Sequence, residues 1–183
     1  MGALFEDLHD VAQVIVEHIR QATGIADVQV GAPREATATT EPAVRVTLLY
    51  TNPGTTHRNE PSEPSSGRGG SPPPLSLACF YLVTTSGTDG DDPVAAHRAL
   101  GQVMRLFHDV PVLLLPLSTH ATSASGASTD LGEGEVTVTQ VPVTLDQVHH
   151  MWTPLRQSLQ PWVLYEVGPV HLVAPRTGPS GGT

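Results

Sequence analysis

The fold is decided by the stretch LSLACFYLVTT, which runs from Leu75 to Thr85. Aliphatic, aromatic and β-branched residues at this density favour an extended strand. The middle of the stretch is apolar at consecutive positions, so both faces of the strand are expected to be buried. We therefore predict a central strand of a sheet at residues 75–85. Cys79, the single cysteine of the chain, lies inside it and is predicted to be a small buried hydrophobe.

Further strands are predicted on both sides of this one, at residues 28–30, 43–51, 135–144 and 162–173. The third of these alternates cleanly between apolar and polar side chains, which predicts one wet face, and Pro142 places it toward a sheet edge. The last is expected to be kinked at Gly168-Pro169. A short apolar run at residues 112–115, between two prolines, is either an edge strand or a turn of helix.

Three helices are predicted from apolar residues that recur three or four positions apart, at residues 3–22, 93–108 and 145–159. The first is expected to stop at Gly24. In the second, Asp92 is the predicted N-cap and Pro93 the first helical residue. Its predicted inward stripe consists of Val94, His97, Leu100, Val103, Met104 and Phe107.

The third helix is expected to start at Thr144 or Asp146, to bury Val148, Met151 and Leu155 beside Trp152, and to be bent or broken by Pro154. The order of elements predicts an α/β (α+β) fold. We expect a single domain with a mixed, mostly antiparallel sheet and about three helices packed on it.

Polar stretches punctuate this pattern. Residues 54–74 contain no aliphatic or aromatic side chain, so they cannot bury enough surface to offset the entropy lost on ordering. The predicted organisation is a domain at residues 1–173, with a long flexible loop at 53–74 and a second small-residue loop at 118–130. A disordered tail is expected at residues 174–183.

The composition of the chain argues against two classes of partner, nucleic acids and membranes. Lysine and arginine total 9 against 18 acidic residues, a formal net charge of -9, whereas binding to a phosphate backbone needs a concentrated positive surface. No apolar run approaches the roughly 20 residues of a membrane span. We therefore expect no nucleic-acid partner and no membrane. The expected location is the cytoplasm, with assembly into a particle that cell lysis can release.

Reactive side chains form no recognisable reaction centre. The nine histidines are scattered, no His-Glu-x-x-His spacing occurs, and a second cysteine is absent, so a zinc site lacks its usual signature. There is no Gly-x-Ser-x-Gly elbow, and Gly67-Arg68-Gly69-Gly70 lacks the ending of a phosphate loop. We predict no catalytic, cofactor-binding or metal-binding residue, and an interaction protein rather than an enzyme.

Five segments, taken together in their order and spacing, resemble the small domain of cap proteins, also called tail terminators, of extracellular contractile injection systems. These are residues 48–50 (LLY), 58–61 (RNEP), 73–84 (PPLSLACFYLVT), 97–104 (HRALGQVM) and 152–159 (WTPLRQSL). The resemblance covers nearly the whole chain, from about Leu4 to Val173. It departs from the family in the glycine- and serine-rich residues after Pro61 and in the small-residue loop at 118–129.

The resemblance implies a structural subunit without cofactors that forms a homo-oligomeric, hexameric ring. The ring would sit on the inner tube protein and the sheath protein of the particle and stop their polymerisation. As a hypothesis, the interface includes Arg58, Asn59, Glu60 and Pro61 at the root of the long loop, together with Arg68 within it. Charged loop residues such as Arg58 and Arg68 are also commonly just solvated, and that alternative stays open.

Two other functions fit the sequence. One is a terminator or head–tail joining protein of a contractile phage tail, which performs the same physical task in a different particle. The other, from a different class, is a domain that binds a small molecule or a metal through its histidines.

Overall fold

The computed structural model describes residues 3–5, 7–34, 41–54, 75–87, 93–115 and 134–172. Along the chain the elements are β1 (Ala3–Phe5), α1 (Leu8–Thr23), β2 (Asp27–Val30), β3 (Ala43–Pro53), β4 (Leu75–Ser86), α2 (Val94–Asp109), β5 (Val112–Leu115), β6 (Gly134–Gln140), α3 (Leu145–Leu155) and β7 (Trp162–Leu172). The predicted fold class is confirmed, because three helices accompany one mixed sheet. The predicted domain limit near residue 173 and the predicted loops stay predictions, since the described residues end at Leu172 and leave out 55–74 and all of 118–130.

The sheet has the strand order β2-β3-β4-β7-β6-β5, and β1 pairs with β7 beside this path. The pairs β1–β7 and β2–β3 are parallel, and the other neighbours are antiparallel. β1 and β6 pair with successive stretches of β7, at residues 170–172 and 165–168. The sheet is therefore mostly antiparallel, as predicted.

β4 is the central strand that its continuous apolar run predicts. It pairs with β3 along one side and with β7 along the other, so that Tyr81 lies between Leu48 and Tyr165. Residues on both of its faces are buried, and Cys79 is fully buried, as predicted.

α1 and α2 pack against one face of the sheet and form the main core with it. The core residues of the strands alternate along the chain, as expected for one sheet face, and include Val44, Val46, Cys79, Tyr81, Val83, Val163, Tyr165 and Val167. α1 contributes its apolar stripe of Val11, Ile15 and Ile19. Burial of this apolar surface is the largest stabilising term in the fold.

The first helix starts later than predicted. Residues 3–5 form β1, and α1 begins at Leu8, after Asp7 accepts a hydrogen bond from the Asp10 amide at 3.0 Å. The backbone hydrogen bonds of β1 to β7 are nonlocal, and they override the helical spacing that includes Leu4. The predicted stop at Gly24 is confirmed, because this residue takes the left-handed conformation with φ 71°.

The second helix differs from the prediction at its start and on its inner face. Pro93 is the N-cap rather than the first helical residue, and Asp92 lies outside the described residues. His97 is exposed, while Ala96 and Ala99 are buried beside Val103 and Phe107. Leu100 and Met104 of the predicted stripe are partly buried against the core, so the inner face differs from the prediction mainly in replacing His97 by the two alanines.

The order of strands at one edge settles a choice that the sequence left open. β5 is the edge strand, one of the two alternatives for residues 112–115, and β6 lies next to it, toward the edge as predicted. β6 ends at Gln140, before Pro142, so this proline does not interrupt the ladder. The predicted wet face of β6 is present, since Glu135, Thr137 and Thr139 are exposed.

α3 begins at Leu145 after the N-cap Thr144, whose side chain forms a reciprocal capping box with Gln147. It ends at Leu155 with Pro154 in its last turn, and is therefore shorter than predicted. Its one buried residue is Trp152, whereas Val148, Met151 and Leu155 are only partly buried.

Candidate assembly surface

The predicted interface residues Arg58, Asn59, Glu60, Pro61 and Arg68 all lie outside the described residues. The structure does define the two ends of their segment. Pro53 of β3 pairs with Leu77 of β4, and the Gly54 amide donates a hydrogen bond to the Ser76 carbonyl at 2.7 Å. A Cβ atom at Gly54 would lie 2.6 Å from the Ser76 hydroxyl oxygen, so a side chain there would require the Ser76 side chain to move. The segment thus leaves and re-enters the sheet at one fixed point.

The strand ends that connect to residues 55–74, 116–133 and 173–183 all lie at the same end of the sheet. Leu75 at the start of β4 pairs with Leu172 at the end of β7, and Leu172 also pairs with Phe5. Leu115 pairs with Gly134 where β5 leads to β6, at the same end because β6 runs antiparallel to β7. Residues 55–74, 116–133 and 173–183 therefore all depart from this end, which we call the segment end.

The sheet face opposite α1 and α2 is partly buried. Leu82, Leu164 and Trp152 are buried, yet they lie outside the core cluster formed under those two helices. Tyr50 stacks on Phe80 with ring centroids 4.3 Å apart, and Tyr50 remains 47% exposed. This stack places an aromatic surface on the same face.

The remainder of that face, toward the β5 edge, is exposed. The strand register places six exposed side chains on it, which we call the open face: Val112, Leu114, Glu135, Thr137, Thr139 and Glu166. Two aliphatic side chains thus lie at the sheet edge, with threonines and carboxylates behind them. Sequence reasoning did not identify this surface, because it left residues 112–115 as either an edge strand or a turn of helix, and the structure shows the edge strand.

The described residues offer little for catalysis. They include no group of three or more histidine, cysteine, aspartate or glutamate side chains able to hold a metal ion. Burial raises the pKa of the Cys79 thiol to about 11 and that of Tyr165 to about 12, so both stay protonated near neutral pH. Burial also lowers the pKa of His18, whose ring lies 6.0 Å from that of Phe107. Cys79 and Tyr165 belong to the core and are not activated nucleophiles.

The grooves in the described part of the surface are shallow. One of about 370 Å³ lies between α1 and β2, lined by His9, Gln13, Val16, Arg20, Val28, Gln29 and Val30. A second of about 360 Å³ lies beside the end of α1. Neither brings together a set of convergent reactive groups. No helix within the described ranges is long and apolar enough to cross a bilayer.

The best-defined charged contact of the described residues is structural. Both terminal nitrogens of Arg45 donate to the Asp27 carboxylate at 2.8 Å, a bidentate pair that joins β3 to β2. These hydrogen bonds lower the pKa of the Asp27 carboxyl below its ordinary value. The pair attaches the edge strand β2 to the sheet.

In a comparison with known protein families, the family model of the Pvc16 N-terminal domain matches residues 10–182 of the chain. The chain belongs to the Pvc16 N-terminal domain family. Together with the two structures described next, this membership confirms the resemblance to the cap proteins of contractile injection systems. A search of curated proteins finds no match.

Two structures solved by cryo-electron microscopy are similar to this member of the Pvc16 N-terminal domain family. One is the sheath/tube terminator of PVC, an extracellular contractile injection system, in the extended state, with a TM-score of 0.54 and 17% identity over 100% of this chain and 64% of that one. The other is the tube-terminating cap of the anti-feeding prophage, with a TM-score of 0.56 and 16% identity over 98% of this chain and 62% of that one. The chain therefore spans less than two thirds of the length of both structures, and at this identity they establish the shared fold.

Proposed function

We propose that this chain is a structural cap subunit of a contractile injection particle, which ends the inner tube and the sheath and stops their polymerisation. The family match over residues 10–182 carries this proposal. It is supported by the similarity in fold to the sheath/tube terminator of PVC and to the cap of the anti-feeding prophage. In this role the chain is not an enzyme, and the buried, protonated state of Cys79 and Tyr165 agrees with that.

The subunits form a ring in this proposal, and a hexameric ring matches the symmetry expected from the resemblance. A closed ring needs two different, complementary patches on each subunit. The described surface has two that differ in chemistry: the polar outer side of α1 and α2, and the open face with its aliphatic edge. Assembly is proposed to take place in the cytoplasm, before the particle is released.

The segment end is proposed to face the tube and the sheath. Three polar segments leave the sheet there, and long segments that order on contact can cover a wide surface. In this arrangement Arg58, Asn59, Glu60, Pro61 and Arg68 contribute to the interface, and the first four follow the fixed root at Gly54 by four to seven residues in the sequence.

The test is electron microscopy of particles from cells with and without the chain, in which tube length and end shape are scored. Loss of a defined cap, with overlong or ragged tubes, is the expected result. Particles of normal length with normal ends would contradict the proposal. Genes for a capsid and a portal beside that of the chain would favour the phage-tail terminator instead.

The interface hypothesis has a separate test in the same cells. Alanine substitution of Arg58, Asn59, Glu60 and Pro61 together should abolish capping while the purified chain keeps its thermal unfolding temperature. Alanines at His149 and His150, which are exposed on α3 and belong to neither of the two proposed ring patches, provide the control. Normal capping by the fourfold variant would remove these residues from the interface without affecting the cap role.

A further inference from the structure

The outer side of α2 has a glycine in its middle that the fold of one chain does not explain. Gly101 is exposed, and a Cβ atom there would meet nothing within 4 Å. Glycine is less favourable in a helix interior than every other residue except proline, so packing within one chain gives no reason for it. A glycine on an exposed helix face does allow another molecule to approach the backbone closely.

Gly101 lies between two arginines. Arg98, Gly101 and Arg105 are all exposed, and their spacing of three and four residues places them in one line along α2, away from its buried stripe. No acidic residue lies between the two arginines. Arg105 contacts Asp109 at 3.4 Å, but this arginine is 83% exposed, so the contact is weak and readily exchanged. We call Arg98, Gly101 and Arg105 the basic line.

The neighbouring helix has an acidic line with the same spacing. Asp10, Gln13 and Glu17 also lie three and four residues apart on the outer side of α1, where Gln13 and Glu17 are exposed and Asp10 is half-exposed. Glu17 contacts Arg20 and Gln21 in exposed pairs within its own helix. Because the charged ends of both lines are seven residues apart, carboxylates can face guanidinium groups at both ends for either relative direction of the helices.

The two lines are neighbours on one surface. α1 and α2 pack on the same sheet face and against each other, with the rings of His18 and Phe107 6.0 Å apart. Two copies can meet face to face about a two-fold axis that runs between the helices and along them. Each basic line then lies on the acidic line of the other copy, and such a contact closes at two copies.

A second copy is the occupant that the charges of this surface favour. The net charge of -9 repels another copy as a whole, but salt screens charges more than about 8 Å apart, whereas the opposite charges of the two lines are in contact. Two helices of 16 residues, each about 24 Å long and about 10 Å wide, bury about 1,000 Å² in total, which is at the lower limit for specific interfaces. We therefore expect a weak contact, with a Kd of about 0.1–1 mM.

We propose that the outer side of α1 and α2 is a docking surface for a second copy of this chain, in a two-fold dimer that sets the basic line of each copy on the acidic line of the other. Gln13 of the second copy lies over Gly101, where no side chain obstructs it. The dimer covers the helical patch proposed above for the ring, so it describes the chain before assembly. The inference does not depend on the cap role.

The test is sedimentation equilibrium of the purified full chain, without tube or sheath, at concentrations up to about 1 mM. In low salt the weight-average mass should rise from that of one chain toward that of two. Salt at about 0.5 M should weaken the association at least about threefold, because exposed charges make the contact.

Two charge-reversed variants identify the surface. Arg98→Glu with Arg105→Glu makes both lines acidic, and Asp10→Arg with Glu17→Arg makes both lines basic. Each variant alone should associate at least about tenfold more weakly than the original chain, because like charges meet. Their equimolar mixture should regain the association as a dimer with one copy of each. The second variant has a net charge closer to zero than -9, so overall repulsion cannot account for its loss.

The matched control is Asp146→Arg with Glu166→Arg, which makes the same change in net charge away from α1 and α2. Asp146 is in the first turn of α3, and Glu166 is on the open face. This variant should associate at least as well as the original chain. Thermal unfolding establishes that each variant is folded. Arg98→Gln with Arg105→Gln replaces a reversal that does not fold and should weaken the association at least about threefold.

Gly101→Ala distinguishes a contact from a position that is only exposed. Because nothing in the chain occupies the space, alanine should raise the thermal unfolding temperature of the dilute monomer by about 2–4 °C. The same methyl group should weaken the dimer at least about threefold, because it holds the two helices apart.

Four results would overturn the proposal. One is the mass of a single chain at every concentration. Another is a mixture of the two reversed variants that associates no better than either variant alone. The third is growth beyond two copies, and the last is a Gly101→Ala variant that associates as tightly as the original chain. None of these results changes the capping scored by electron microscopy, so the cap role is tested separately.

Discussion

Removal of the Asp27 carboxylate should destabilise the protein more than its own partial exposure suggests. The side chain of Arg45 is 8% exposed and that of Asp27 is 44% exposed. In Asp27→Ala, the guanidinium of Arg45 would keep only backbone acceptors, the Val44 carbonyl at 2.9 Å and the Asp27 carbonyl at 3.4 Å. A buried cation would thus lose its counter-charge and both of its short carboxylate bonds.

The expected magnitude lies between two limits. Breaking a fully buried pair by removing one partner costs about 3–5 kcal/mol, and an exposed pair contributes about 0–1 kcal/mol. Because one partner is buried and the other nearly half exposed, we expect Asp27→Ala to lower the free energy of unfolding by about 2 kcal/mol. The matched control is Asp109→Ala, whose partner Arg105 is 83% exposed, with an expected loss below about 0.5 kcal/mol.

The assay is urea unfolding followed by the fluorescence of Trp152 and Trp162, repeated at several pH values. Since Arg45 lowers the pKa of Asp27 in the folded state, the stabilisation is present above the unfolded pKa of about 4 and disappears as the pH falls through the lower folded value. The difference between the original chain and Asp27→Ala should therefore shrink in acid. Equal losses for Asp27→Ala and Asp109→Ala, or a difference that does not change with pH, would refute the reasoning.

Three other predictions concern the core and the start of α3. Burial lowers the pKa of His18, so stability should fall as the pH drops from 7 to 5, below the ordinary imidazole pKa of about 6.5. His18→Leu should flatten this decline in thermal unfolding, and an unchanged decline would assign it to other groups. The buried Cys79 thiol should react with a disulfide reagent at least about tenfold faster in urea than in buffer, and equal rates would show that it is accessible in the folded state. Thr144→Ala should cost about 1 kcal/mol through loss of the capping box and speed amide exchange in α3, whereas Thr144→Ser should not.

The sequence pattern predicted an element correctly where the residues of that element alone indicate which of its faces are buried. The run at residues 75–85 is apolar on both faces and became the central strand, and the stripe of Val11, Ile15 and Ile19 became the buried face of α1. Residues 3–5 were predicted wrongly, because their pairing with residues 170–172 is a contact between distant parts of the chain. The spacing of apolar residues within a short segment carries no information about a partner strand so distant in the sequence.

The candidate surface was less predictable for the same reason. Whether VLLL is buried or exposed depends on its place in the sheet, and its pairing with β6 alone left Val112 and Leu114 at an edge. The signals that point to an edge are the two flanking prolines and the wet face of residues 135–140. The predicted interface residues of the long loop could be named from the resemblance alone, and they stay a prediction.

The pairing of the three longest strands has a mechanical consequence. β3, β4 and β7 span 11, 12 and 11 residues and run antiparallel side by side, with hydrogen bonds perpendicular to the strand axis. A force pulling along that axis loads many of these bonds in shear at the same time, so that they must fail together. A force across the sheet instead peels the four-residue strands β2 and β5 away first. The molecule should thus be stiff in the direction that leads to its segment end and yield from its sides.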